Sequence, residues 1–261
     1  MLINIKFLRA LFLAILFQST QAFAQKASFL FTSKLETDFK THDQYDKILN
    51  LSFALIGSYP LNKKTKVSLV VPFLKSLTGT RDFNYLDASL SFKYQNFKNI
   101  EKWSMSTGLI IGLPYSKASR KKSYLQTKIG VTPSLSYTFR PNLIFSGSSS
   151  FIKYFHRSNT NISGSSNNSY ILSFSTGLTY VLKKSGSISF SGSFLKMITY
   201  ENNTRDRYAF EGSYTRNFSK KLSGSLGFSN SGEPLDYNGD VNTKVFDVNT
   251  AQAFGKISIV F

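Results

Sequence analysis

The chain has 261 residues, no cysteine, 41% hydrophobic residues and a formal net charge of +18. The absence of cysteine excludes a disulfide framework and thiolate metal sites. The length suits one domain, and the dispersed apolar residues argue against a bundle of transmembrane helices. The basic residues are spread along the chain and form no motif with aromatic residues, so we expect no nucleic-acid partner.

The N-terminal residues follow the pattern of a secretory signal peptide. A basic start precedes an apolar run at 10–17, and Ala22-Phe23-Ala24 forms an A-x-A cleavage motif with small residues at its first and last positions. The apolar run is too short to span a membrane comfortably, which argues against the alternative of a membrane anchor. We therefore expect a signal peptide at 1–24 and a mature domain at 25–261.

The mature chain alternates apolar and small polar residues with a period of two, which is typical of strands with two different faces. On the best example, one face carries Tyr170, Leu172, Phe174, Thr176, Leu178, Tyr180 and Leu182, and the other is mostly serine, glycine and threonine. The alternation predicts about twelve strands, near 27–39, 47–60, 66–78, 85–97, 103–116, 124–139, 143–156, 170–182, 187–200, 206–218, 222–231 and 249–261.

The long strands, their even number and the alternation of short turns with longer loops favour a membrane barrel over a soluble sandwich. Aromatic residues also gather near strand ends, as they do at membrane interfaces. Because an open sheet in hydrocarbon would leave its edge amides and carbonyls unpaired, the first and last strands should pair. We expect an all-β, transmembrane, antiparallel up-and-down barrel in the outer membrane of a Gram-negative bacterium.

The last strand ends in Ile257-Ser258-Ile259-Val260-Phe261. This segment resembles the sorting signal of bacterial outer-membrane barrel proteins. The resemblance implies that the terminal Phe261 is read by the barrel assembly machinery, which is then an expected partner.

A second expected partner follows from a basic cluster between two predicted strands. The cluster consists of Lys117, Arg120, Lys121 and Lys122. Outer-membrane lipids, and lipopolysaccharide in particular, carry phosphate groups that would attract such a cluster. The alternative is that these side chains only keep an exposed turn soluble. The oligomeric state stays open.

The predicted interior is lined mainly by serine and glycine, which are too small to fill a barrel of about twelve strands. The period-two alternation, which we call strand parity, also predicts that a set of charged residues points inward and lines the pore: Lys34, Glu36, Asp87, Lys93, Lys128, Glu211 and Lys256. A conducting lumen with this slightly basic lining would favour small anionic or polar solutes. Alternatively, these charges pair across the lumen and close it.

An enzyme alternative starts from the sequence His156-Arg157-Ser158-Asn159, with Asn168 twelve residues after the histidine. This spacing resembles outer-membrane phospholipase A, a twelve-stranded barrel enzyme. The resemblance implies His156 as the base, Ser158 as the nucleophile, Asn168 as the residue that orients the imidazole, and calcium as a cofactor.

The resemblance is local, and strand parity turns the histidine and serine inward, whereas the family's site faces the lipid. No other catalytic or metal-binding motif is present, so we expect no cofactor outside this alternative. The sequence therefore predicts a narrow, porin-like channel rather than an enzyme. Two alternatives are kept, a calcium-dependent phospholipase A-like esterase and a structural or adhesion barrel without transport.

Overall fold

The computed structural model describes residues 27–39, 48–79, 81–96, 102–182, 186–234, 243, 245–247 and 250–261. The predicted signal peptide at 1–24 lies outside the described residues. The strands are β1 (Ser28–Asp38), β2 (Leu49–Pro60), β3 (Thr65–Ser76), β4 (Phe83–Tyr85), β5 (Ala88–Asn96), β6 (Trp103–Leu113), β7 (Leu125–Arg140), β8 (Leu143–His156), β9 (Asn168–Leu182), β10 (Gly186–Thr199), β11 (Thr204–Asn217), β12 (Leu222–Gly232) and β13 (Gln252–Val260).

Twelve of these strands form a closed antiparallel barrel. Neighbours along the chain pair from β5 to β13, β13 pairs with β1, and β1–β2, β2–β3 and β3–β5 complete the circle. The closing pair β1–β13 runs over nine positions, from Leu30 opposite Val260 to Asp38 opposite Gln252. The predicted fold class and the predicted pairing of the first and last strands are therefore confirmed.

One predicted strand differs from the structure. The segment predicted at 85–97 is divided into the short β4 and the longer β5, and both pair with β3. The break lies opposite Pro72, whose carbonyl accepts a hydrogen bond from the Leu86 amide at 3.1 Å. Because proline has no N–H group, Pro72 cannot donate a hydrogen bond back to this segment. The regular strand pairing is therefore interrupted at this position.

The connections between strands alternate in length. Among the described connections, the short turns at 61–64, 141–142 and 218–221 lie at one end of the barrel, and the longer connections 114–124 and 157–167 lie at the other. The segment 200–203 is a short connection at the second end. A single-turn π-helix at Ala118–Lys122, which the sequence did not predict, lies in the connection between β6 and β7. The described part of the chain has no helix long and apolar enough to cross a membrane.

The two faces of the barrel wall differ as the alternation predicts. Large apolar side chains cover the outside and are unusually exposed, for example Leu226 at 69%, Phe190 at 58% and Leu55 at 51%. Such an apolar surface is stable only in contact with lipid or another apolar partner. The inner face carries hydrogen-bonded hydroxyl pairs between neighbouring strands, at distances of 2.6–3.0 Å: Ser58–Ser68, Ser106–Ser134, Ser150–Ser173, Thr179–Ser189 and Thr215–Ser225.

Candidate pore interior

The strand register decides which charged side chains point into the barrel. Leu35, Tyr94, Ile129 and Ile257 are exposed on the outside, so their immediate neighbours on the strands point inward. Glu211 points inward as well, because it lies opposite Ser191, whose neighbour Phe190 is exposed on the outside. Six candidate residues therefore lie on the inner face: Lys34, Glu36, Lys93, Lys128, Glu211 and Lys256. Their role in lining a conducting path stays a prediction.

One part of the interior is occupied by a charge network. The Lys34 Nζ atom lies 2.6 Å from Glu36 Oε1 and 3.9 Å from Glu211 Oε2, so the network joins β1 to β11 over the two strands between them. The same Nζ atom lies 4.0 Å from the centroid of the Phe254 ring. One lysine therefore lies beside two carboxylates and offsets only part of their charge, and the longer Glu211 contact is the weaker of the two.

A glycine makes room for this network. Phe254 is buried, and an ideal Cβ atom placed on Gly227 would lie 2.5 Å from the edge of its ring. The same Cβ would also overlap the backbone oxygen of Gly212, which cannot move away. Glycine at this position lets the ring lie flat against the wall beneath Lys34.

Asp87 lies in the connection just ahead of β5 and is held by the connection after β6. Its carboxylate accepts hydrogen bonds from the Tyr115 amide at 3.1 Å, the Ser116 amide at 3.0 Å and the Ser119 hydroxyl. Partial burial alone would raise the pKa of the Asp87 carboxyl, but these hydrogen bonds outweigh it and the pKa lies below its ordinary value. Asp87 is therefore an ionised anchor of a loop as well as a candidate lining residue.

The remaining inward lysines differ from Lys34 in their partners. Lys93, Lys128 and Lys256 have no ion pair among the described residues, in which Lys34 makes both salt bridges. Lys128 lies across Gly112, and its Nζ atom is 5.7 Å from the centroid of the Tyr154 ring.

The structure adds Lys66, which the sequence analysis missed. Lys66 lies directly opposite Lys93 in the β3–β5 register, on the same inner face. Two like charges directly opposite each other repel unless an anion lies between them. The alternating apolar residues Val67, Leu69 and Val71 face outward, so they indicate that Lys66 points inward. Lys66 is the first residue of the predicted strand and has no preceding strand residue to support this assignment.

The three residues of the enzyme alternative lie near the same end of the barrel but do not form a catalytic triad. The His156 ring stacks on Tyr154 at 6.1 Å between centroids and meets the edge of Tyr200 at 5.7 Å, and its Nδ1 atom is buried without a hydrogen-bond partner. The Ser158 hydroxyl lies 3.4 Å from the Thr160 hydroxyl.

Asn168 does not orient the imidazole in this structure. Its side-chain amide donates to the Met197 sulfur at 3.9 Å. A serine nucleophile needs a histidine within hydrogen-bond reach and a third residue that orients the histidine. Among the described residues, no hydrogen bond joins His156, Ser158 and Asn168, and no group of three acidic, histidine or cysteine residues could hold a metal ion.

This geometry gives a testable expectation for the enzyme alternative. We expect the refolded barrel with calcium to release fatty acid from phospholipid no faster than its Ser158→Ala variant, because no base activates the hydroxyl. The measurement is titration of released fatty acid from mixed micelles. Release that the substitution abolishes would show that the three residues assemble when lipid binds.

The C-terminal Phe261 follows β13 directly. Its amide donates to the Phe29 carbonyl at 2.9 Å, whereas its side chain is 69% exposed. The ring is therefore accessible at the short-turn end of the barrel. Its reading by the assembly machinery stays a prediction.

A closed antiparallel barrel with an apolar outside and a hydroxyl-rich inside defines a bacterial outer-membrane β-barrel protein. No protein-family model matches the sequence, and the search of curated proteins finds no relative. Solved structures do match. The COG4313 outer membrane channel from Pseudomonas putida F1 superimposes with a TM-score of 0.65 at 10% identity, covering 90% of this chain and 95% of that one.

Two proteins named as porins also share the fold. The NanC porin has a TM-score of 0.55 at 13% identity and covers 89% of this chain and 98% of its own. The KdgM porin has a TM-score of 0.53 at 8% identity, with 89% and 99% covered. The TM-scores show a common fold at low sequence identity, and this fold confirms the predicted barrel.

Proposed function

We propose that this barrel is a narrow, porin-like channel for small polar solutes, with a preference for anions. The observation that carries the proposal is the state of the inward charges. Glu36 and Glu211 lie beside Lys34, and Asp87 accepts three hydrogen bonds from a loop. The other inward lysines described above have no carboxylate partner in the part of the chain that the structure describes.

These lysines are distributed along the length of the lumen. Lys128 is near the long-loop end of β7, Lys256 is in the middle of β13, and Lys66 and Lys93 face each other near the short-turn end. Positive charges in a confined space with a low-dielectric wall raise the local concentration of anions and repel cations. A solute that enters would therefore meet cations at three successive levels.

The small inward side chains support an aqueous path. The hydroxyl pairs bond to each other across neighbouring strands and remain along the wall, so they do not reach into the lumen as long side chains would. Hydroxyl-lined walls can also exchange hydrogen bonds with water and with sugar-like solutes. The three structural neighbours, named as a channel and two porins, agree with this proposal.

Planar-bilayer recording tests the proposal. We expect the refolded protein to give discrete conductance steps, and a tenfold KCl gradient to give a reversal potential of the sign that chloride preference requires. The heat-denatured protein in the same detergent is the control. Absence of steps would favour the structural or adhesion barrel, and a cation-selective reversal potential would contradict the anion preference.

A further inference from the structure

The single-turn π-helix at Ala118–Lys122 presents a concentrated positive charge at the long-loop end of the barrel. Lys117, Arg120, Lys121 and Lys122 are all exposed, and none forms an ion pair within the described part of the chain. The backbone around them is ordered by hydrogen bonds from Arg120 N to Ser116 O and from Ser123 N to Ala118 O, both at 3.0 Å.

The helix is fastened to the barrel on two sides. On one side, Asp87 holds the amides of Tyr115 and Ser116 and the hydroxyl of Ser119. On the other, the connection between β8 and β9 donates from Ile162 N to Lys122 O at 2.8 Å and from Asn167 Nδ2 to Ser123 O at 3.0 Å. The cations therefore project from a fixed support, which lowers the entropy lost when they bind a ligand.

Three exposed aromatic side chains in contact with one another extend to the residues just before this helix. Phe83, Tyr85 and Tyr115 are 48%, 52% and 59% exposed, and the rings of Tyr85 and Tyr115 meet edge to face at 6.0 Å. Tyr115 precedes Lys117 by two residues. In membrane barrels such aromatic residues mark the boundary between hydrocarbon and headgroups, so the cations just beyond them lie at headgroup level.

We propose that these rings and cations form a binding surface for lipopolysaccharide in the outer leaflet, with Asp87 as its positioning residue. The proposal goes beyond the channel function and does not depend on it. The cations match the phosphate groups of the lipid, and the exposed rings match the upper part of its acyl chains. A hydrated solute on its way into the lumen would be attracted by the charges, but it would make few favourable contacts with the three exposed rings.

A matched pair of variants tests this surface. Lys121→Gln/Lys122→Gln removes two charges from the helix, and Lys220→Gln/Lys221→Gln removes two from the exposed turn between β11 and β12 at the other end of the barrel. We measure binding of lipopolysaccharide to the detergent-solubilised barrel by native mass spectrometry. We expect about tenfold weaker binding or more for the first variant and no change for the second, since each cation near a charged lipid surface contributes appreciably.

Four outcomes would overturn the proposal. If both variants lost the same lipopolysaccharide affinity, the effect would be due to net charge alone. If both variants bound lipopolysaccharide as well as the wild type, the helix would not take part in the interaction. Equal binding of phosphatidylglycerol and lipopolysaccharide by the wild-type barrel would indicate a general anionic-lipid surface. A change in ion selectivity without a change in lipid affinity would assign the cations to the channel entrance instead. Lipopolysaccharide stripped of its phosphates should bind the wild-type barrel as weakly as intact lipid binds the first variant.

The positioning role of Asp87 has its own test. Asp87→Ala removes the hydrogen-bond acceptor that holds the loop. Asp87→Asn keeps an oxygen that can accept hydrogen bonds from the Tyr115 and Ser116 amides. We expect weaker lipid binding for the alanine variant and substantial recovery for the asparagine variant, with both barrels folded by their heat-dependent gel mobility. Unchanged binding by the alanine variant would contradict the role.

Discussion

Replacing Lys93 and Lys128 by glutamate will shift the proposed channel from anion towards cation preference. Both side chains lie on the inner face without an ion pair among the described residues, so the substitutions exchange two free positive charges for two negative ones. A glutamate at 93 would face Lys66 and be partly neutralised by it, whereas a glutamate at 128 would act alone near the long-loop end.

The measurement is the reversal potential in a salt gradient. For perfectly selective pores a tenfold gradient gives about 59 mV of one sign or the other, and we expect a shift of tens of millivolts with a change of sign. The control is Lys220→Glu/Lys221→Glu, which makes the same change in net charge outside the lumen. If the two variants gave the same reversal potential, the inward lysines would not set the selectivity.

Removing β13 will prevent assembly of the barrel rather than yield one with fewer strands. β13 pairs with β1 over nine positions and with β12 over eight. Its loss would leave two strand edges in hydrocarbon, where each unpaired amide or carbonyl costs several kcal/mol. A sheet that must bend to close also cannot simply rejoin β1 to β12, because the register of the other pairs is already set.

Refolding into lipid vesicles measures this effect. We expect deletion of 252–261 to abolish the heat-dependent gel shift and protease resistance of the folded barrel. The control is deletion of Ile162, Ser163 and Gly164, at the tip of the connection between β8 and β9, where Asn161 N bonds to Ser165 O at 2.8 Å. The control should fold, because the tip contributes no strand pairing. A protease-resistant barrel without β13 would contradict the argument.

The predicted strands and the observed strands agree closely along most of the chain because strand alternation is a local signal. Each residue's face follows from its neighbours two positions away, so Phe174 and Leu226 could be assigned to the outside without knowing their partners. The exception at 85–97 has a nonlocal cause. Pro72 belongs to another strand, and only the pairing of that strand with β4 and β5 reveals the missing donor.

The candidate site was predictable only in part for the same reason. Strand alternation alone predicted that Lys34, Glu36 and Glu211 point inward. It could not predict the contact between Lys34 and Glu211, which are 177 positions apart in the sequence. The anchoring of the loop after β6 by Asp87 depends equally on which strands are neighbours. The spacing of His156, Ser158 and Asn168 gave no indication that Thr160 and Met197 would be their partners.

The sequence by itself determined the class of protein: a period of two, small residues on one face, apolar residues on the other and regularly spaced turns suffice for an outer-membrane barrel. Those features are local, and each is repeated in most strands. The tertiary structure decided which lysines remain without a carboxylate, where Phe254 finds room beside Gly227, and how the π-helix is held. These depend on barrel closure and on register between distant strands, which local alternation leaves undetermined.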